Sequence, residues 1–218
     1  MSITTKFQSY VLGFTTLIVY SFWSKFSGQV SVSPYVKIIA ASLLSIGLYR
    51  LVASIFLYLF KKIRLVRKFF LGGAYVEGTW VGFYIGVSGK VRYIVERFEQ
   101  DFETLIVRGI AYNEKKELHV NWVSFPANID LQKGEMNYMY DLKGIHDVTN
   151  GTGIVSFNFK RKSSTSPPDG ISGFSADLHN EGFRTKSLEY KLSDNFETSD
   201  KDALAKAMGF YELNEANY

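Results

Sequence analysis

Residues 38–62 read IIAASLLSIGLYRLVASIFLYLFKK. Between Lys37 and Lys61 lie 23 residues whose only charge is Arg50. A bilayer core about 30 Å thick needs roughly 20 helical residues, so this run is long enough to cross one. Nothing else in the chain restricts the fold so strongly, because in lipid a lone segment can satisfy its own backbone only as a helix. A second uncharged run, FQSYVLGFTTLIVYSFWS, fills the 18 residues between Lys6 and Lys25. Gln8, Ser9, Thr15 and Thr16 dilute it, yet it reads as a second span. The following SFWSKFSG lacks the small-x-small pattern of a cleavage site, which favours a retained helix.

The connection from Ser27 to Pro34 is short and rich in turn formers, so the two runs read as a transmembrane helical hairpin. Lys61, Lys62, Arg64, Arg67 and Lys68 follow directly. Positive flanks stay cytoplasmic, which places both termini in the cytoplasm and makes the chain a two-pass membrane protein. Charge divides the chain at the same place. Residues 1–68 hold nine Lys or Arg and no acid, whereas residues 69–218 hold 16 basic and all 21 acidic residues. The expected organisation is therefore a membrane domain over 1–70 and a soluble domain over 71–218.

An arginine at mid-helix costs roughly 2.5–3.5 kcal/mol on insertion scales. Two readings account for Arg50. It snorkels to a leaflet surface, or it points into a helix assembly. The second draws on its neighbours: Gly47 and Ser54 share its face at i−3 and i+4, and small residues let helices approach closely.

From Glu77 the texture changes to β-rich runs separated by turn signals. Strands are expected over 78–87, 91–99, 103–112, 117–125, 134–142, 152–160, 171–179 and 185–192. Eight strands with turns at roughly ten-residue intervals read as an up-and-down antiparallel barrel or a sandwich, and the barrel is the expectation because closure removes exposed edges. A barrel of about eight strands either fills with side chains or holds one small ligand. A short helix over 199–210 closes the chain, with Ser199 as its cap and Gly209 as its end. Its face of Ala203, Leu204, Ala207 and Met208 is suited to plugging one barrel end. In the first strand, Trp80, Gly82, Tyr84 and Gly86 share one face and Val81, Phe83, Ile85 and Val87 the other. The glycine-and-aromatic face reads as the wall of a cavity, or its glycines mark bulges needed for closure.

The chain has no cysteine, which excludes a disulfide framework and thiolate metal sites. It carries three histidines, His119, His146 and His179, and no hydrolase, phosphate-loop or zinc-protease motif. The expectation is a non-enzyme with no metal or cofactor. Binding is better supported. Trp80, Tyr84, Tyr93, Trp122, Tyr138, Tyr140 and Tyr190 on the strands offer stacking faces, and Arg92, Arg97 and Arg108 offer forks for phosphate; the strongest candidates for a ligand site are these residues without Tyr190 and Arg92. Long nucleic acid is argued against by the soluble domain's acidic balance, because such binding needs many phosphate contacts. Residues 160–170, KRKSSTSPPDG, read as a hairpin loop or a lid.

The order of parts is distinctive: two closely spaced membrane helices, a basic flank, then a compact barrel opening with EGTW over 77–80. It resembles the two-helix, β-strand-rich membrane effectors of bacterial CBASS antiphage systems, which accompany cyclic-oligonucleotide synthases. That resemblance implies a cytoplasmic barrel that binds a cyclic dinucleotide. It further implies self-association in the inner membrane and disruption of that bilayer by the helices, which halts the infected cell. A membrane-anchored lipid-binding barrel and a tethered scaffold are the alternatives.

Overall fold

The computed structural model describes residues 3–26, 33–145, 150–178 and 183–217. The chain divides into two compact units, Met1–Leu71 and Gly72–Tyr218. The first holds three helices, α1 (Ile3–Phe26), α2 (Pro34–Lys62) and α3 (Arg64–Leu71). The turn expected over 27–32 lies outside the described residues.

Among the described residues only α2 is both long and apolar enough to cross a bilayer. This narrows the expectation of two spans, and the polar residues of α1 are the physical reason. Proline suits the first position of α2, where its missing N–H is unpaired in any helix. At the other end the chain turns extended at Ile63, with φ −111° and ψ 109°. Arg67 of α3 then reaches back and donates to the carbonyls of Phe60 and Lys61, at 3.0 and 2.8 Å. A cation on the last carbonyls of a helix satisfies orphan acceptors and opposes the negative end of the helix dipole. Part of the basic flank is thus a cap. Phe7, Val11 and Thr15 form the buried stripe of α1, with Val52 and Phe60 buried on α2. Phe56 meets both Phe7 and Phe14 edge-on or tilted, at 6.3 and 5.3 Å between centroids.

The second unit is a closed antiparallel barrel. Its strands are β1 (Gly78–Ile85), β2 (Val91–Gln100), β3 (Leu105–Tyr112), β4 (Leu118–Ser124), β5 (Asn128–Asp130), β6 (Glu135–Gly144), β7 (Gly151–Lys160), β8 (Gly170–Asp177) and β9 (Arg184–Ser193). Eight long strands pair in chain order, and β9 returns to pair with β1. The eight-stranded up-and-down barrel is therefore present. One detail was not expected. The stave formed by β4 is interrupted at Pro126, which has no N–H to donate. The chain resumes as the three-residue β5, and both β4 and β5 pair with β6.

Alternation along the strands sorts the side chains. Trp80, Phe98, Val107, Tyr138, Tyr140, Val155 and Phe157 face inward and form the principal core. Val81, Phe83, Tyr93 and Val95 face outward, yet they are buried as well. The cover is α4 (Asp200–Asn214), whose Ala203, Leu204 and Ala207 seat on them. Both faces of β1 look apolar in sequence for this reason. The helix lies on the outer wall and does not plug a barrel end. Ser199 caps it as expected, accepting from the Asp202 N–H at 3.2 Å. Gly209 does not end it. The helix continues to Asn214 because the residues just after the glycine are anchored. Phe210 lies 4.5 Å from the Tyr190 ring and Tyr211 lies 5.0 Å from Phe83.

Candidate functional site

One end of the barrel is filled. At the end where β1 begins, Trp80 stacks on Phe98 at 5.2 Å, and its indole N–H donates to the Val76 carbonyl at 2.8 Å. Leu105, Met136, Phe157 and Ile171 complete this plug. Toward the other end the lumen stays open. A cavity of about 80 Å³ lies there, walled by Tyr84, Trp122, Tyr138, Tyr140 and Leu142. Its polar wall is made by Glu96, Glu189, Asp177, Ser175, Thr185 and Ser187. Among the described residues its lining has three carboxyls and no Lys or Arg.

Close approaches shape this wall. A Cβ at Gly109 would overlap the Trp122 indole, and one at Gly153 would overlap the Tyr140 ring. The glycines let both rings lie against the wall, which leaves the lumen unfilled. Gly82 faces Glu189 across the β1–β9 pairing, and a Cβ there would collide with the Glu189 side chain and the Leu188 carbonyl. The cavity reading of the first strand is thus met in part. Trp80 belongs to the plug, Gly82 makes room for Glu189, Tyr84 lines the cavity, and Gly86 sits in the turn after β1.

Glu96 and Glu189 are each 2% exposed. One oxygen of each is held. Trp122 Nε1 and the Tyr138 hydroxyl donate to Glu96 Oε1 at 3.0 and 3.2 Å. The Ser187 hydroxyl donates to Glu189 Oε1 at 2.8 Å. The two carboxyls also bond to each other, and among the described residues neither Oε2 has any other donor. Burial raises the proton affinity of both carboxyls, and for Glu189 the adjacent Glu96 charge raises it further. Two acidic groups this close and this dry cannot both ionise, so the pair retains a proton well above the usual carboxylate range. Burial also pushes the Tyr84 phenol up to about 12 and keeps Tyr138 and Tyr140 protonated. Tyr140 uses its proton on Asp177, at 2.6 Å.

The structure separates the residues that sequence reasoning grouped. Tyr84, Trp122, Tyr138 and Tyr140 converge on the cavity, with Trp80 beneath it. Tyr93, Arg97 and Arg108 point outward and do not line it. Tyr93 lies under α4, 6.0 Å from the Tyr211 ring. Arg97 pairs with Asp200 at 2.6 Å, and Arg108 pairs with Glu99 at 2.9 Å on the surface. Of the three strand arginines, Arg92 is the one beside the cavity wall, opposite Tyr84 in the β1–β2 register. Burial, and then the Arg92 charge, lower the proton affinity of His119, so this imidazole is neutral at pH 7. His146 and His179 lie outside the described residues. In the helical unit Arg50 lines a groove between α1 and α2 with Thr15, Trp23, Ser45 and Tyr49. Gly47 and Ser54 are exposed and lie outside that groove. The carboxyls are what sequence reasoning missed. Glu96 alternates with Ile94 and Phe98, and that inward parity was the available signal.

Comparison with protein-family models, with curated proteins and with solved structures finds no match to this chain.

Proposed function

We propose that this chain is a membrane-anchored receptor of the kind found among two-helix CBASS effectors. In this reading α1 and α2 both lie in a bacterial inner membrane and the barrel is cytoplasmic. A cyclic dinucleotide binds the barrel, the chains self-associate, and the helices disrupt the bilayer. The observation that carries the reading is the unfilled, aromatic-walled lumen lined by a buried pair of carboxyls. A barrel that served only as a scaffold would fill with side chains, and burying two acids side by side is costly.

The cavity's size and charge limit how such a ligand enters. Pockets that enclose a whole small molecule run to roughly 300–1,000 Å³, and this one measures about 80 Å³. Its three carboxyls repel phosphate. The edge of one base therefore enters, and the phosphates stay outside near Arg92 and His119. An acyl chain is a poorer fit, because three carboxyls and six hydroxyls beside it would lose hydration without gaining partners. Ligand binding drives the helices only if the ligand prefers the assembled state.

The test uses the full chain in detergent micelles, titrated calorimetrically with a panel of cyclic dinucleotides, together with growth of cells expressing it. Saturable binding, with growth arrest only when the bound dinucleotide is supplied, is the expected result. A folded chain that binds none of the panel overturns the reading.

A further inference from the structure

We propose that the Glu96–Glu189 pair is the specificity element of the cavity and reads the donor-bearing edge of an amino-substituted nitrogen heterocycle. A guanine-, adenine- or cytosine-type ring has such an edge. The inference rests on the receptor reading above and adds to it which part of a ligand is recognised, and by what.

The geometry carries it. Each carboxyl is fixed through Oε1 by neighbours on the cavity wall, Trp122 and Tyr138 for Glu96 and Ser187 for Glu189. The two carboxyls also bond to each other, and among the described residues neither Oε2 has a further donor. Two lumen-lining side chains whose orientation is already set by their neighbours and by each other need little further ordering to exchange their mutual bond for one to a ligand, which is what a recognition element requires. The pair carries one proton between them, so it can also donate one hydrogen bond. A carboxyl and a carboxylate side by side match an edge that has both N–H donors and a ring nitrogen or carbonyl acceptor. Carboxylates accept from exocyclic amines when proteins read bases. Base edges inserted into protein pockets are commonly held in this way between aromatic side chains. Trp122 and Tyr140, laid flat by Gly109 and Gly153, supply planar walls. An aliphatic amine would satisfy the carboxyls but leave those ring faces unused. A phosphate or carboxylate ligand would meet three acids and no cation in the lining.

The experiment compares three probes on the full chain in detergent: cyclic di-GMP, cyclic di-AMP and cyclic di-UMP. Uracil has no amino group. The wild-type chain is expected to bind at least one amino-bearing probe about ten- to hundredfold more tightly than cyclic di-UMP. Glu96→Gln and Glu189→Gln are expected to erase that preference, with binding of cyclic di-UMP held or improved, because an amide offers donors where the carboxyl offered acceptors. A thermal melt of each variant checks that the barrel is folded, and the two independent substitutions guard against a local effect of either. Equal affinity for all three probes, or a base preference unchanged in both folded variants, overturns the proposal and leaves the receptor reading standing. Failure of all three probes to bind the folded wild-type chain overturns both.

Discussion

Replacing Glu189 with glutamine should make the barrel more stable at neutral pH, by an amount that grows as pH rises. In the folded chain both carboxyls of the Glu96–Glu189 pair have raised proton affinity, burial being the larger cause. Below the ordinary glutamate value of 4.5, folded and unfolded chains are both protonated, and the pair exacts no pH-linked penalty. As pH rises past it, the unfolded chain ionises while the folded pair keeps at least one proton. Each pH unit in that window then removes about 1.4 kcal/mol of stability per retained proton, until the folded pair itself ionises. In the glutamine variant, residue 189 cannot ionise in either state. Its amide can donate to Glu96 beside the existing Trp122 and Tyr138 donors, so Glu96 ionises nearer its usual range. The slope attributable to the retained proton disappears. For a domain of this size the gap between variant and wild type should widen by about 3–6 °C per pH unit. Melting of both full chains in detergent, followed by tryptophan fluorescence from pH 4 to pH 8, reads it. Parallel curves from pH 5 to pH 7 would refute the shared proton.

Other substitutions test separate parts of the structure. Gly109→Ala places a methyl where the Trp122 indole lies, and should cost about 1–3 kcal/mol as an overpacked core, seen as a lower melting temperature and altered tryptophan emission. Ser199→Ala removes the cap of α4 and should cost about 1 kcal/mol, measurable by thermal melting. Arg50→Leu should leave membrane insertion intact, scored by fractionation, and abolish ligand-triggered growth arrest; unchanged arrest would remove any role for that cation in assembly.

The barrel was legible because its information is local. Turn-forming residues recur at short intervals, and each strand is β-branched or aromatic, so strand existence and order follow from short windows. The expectation of a second span exceeded what the structure supports, for a reason of degree. Four polar residues leave α1 below the threshold that α2 passes, and no window of sequence decides whether a partner helix compensates. The placement of α4 was misread because an apolar helix face says that it needs cover, not which surface supplies it. Val81 and Phe83, on the outward parity of β1, hold the answer, and they become informative only once the inward parity is known.

The candidate site was half legible, and the division falls along a chemical line. Aromatic residues draw attention wherever they occur, so Tyr84, Trp122, Tyr138 and Tyr140 were selected before their convergence was known. Glu96 and Glu189 sit among other charged residues in VERFE and SLEYKL, where a carboxylate ordinarily belongs to the solvated face. Their meaning comes from register. Trp80 opposes Glu96 on β2, and Gly82 opposes Glu189 on β9. Adjacent inward positions of β1 therefore bring together two acids that lie 93 residues apart in the chain. A glutamate on the inward parity of a barrel strand is costly to bury, and a second one facing it raises that cost. An apolar pair at these positions would give a more stable barrel and an empty function. That the chain carries two acids there, with a glycine opposite one of them to give it room, is the observation on which the proposed recognition of a hydrogen-bond donor rests.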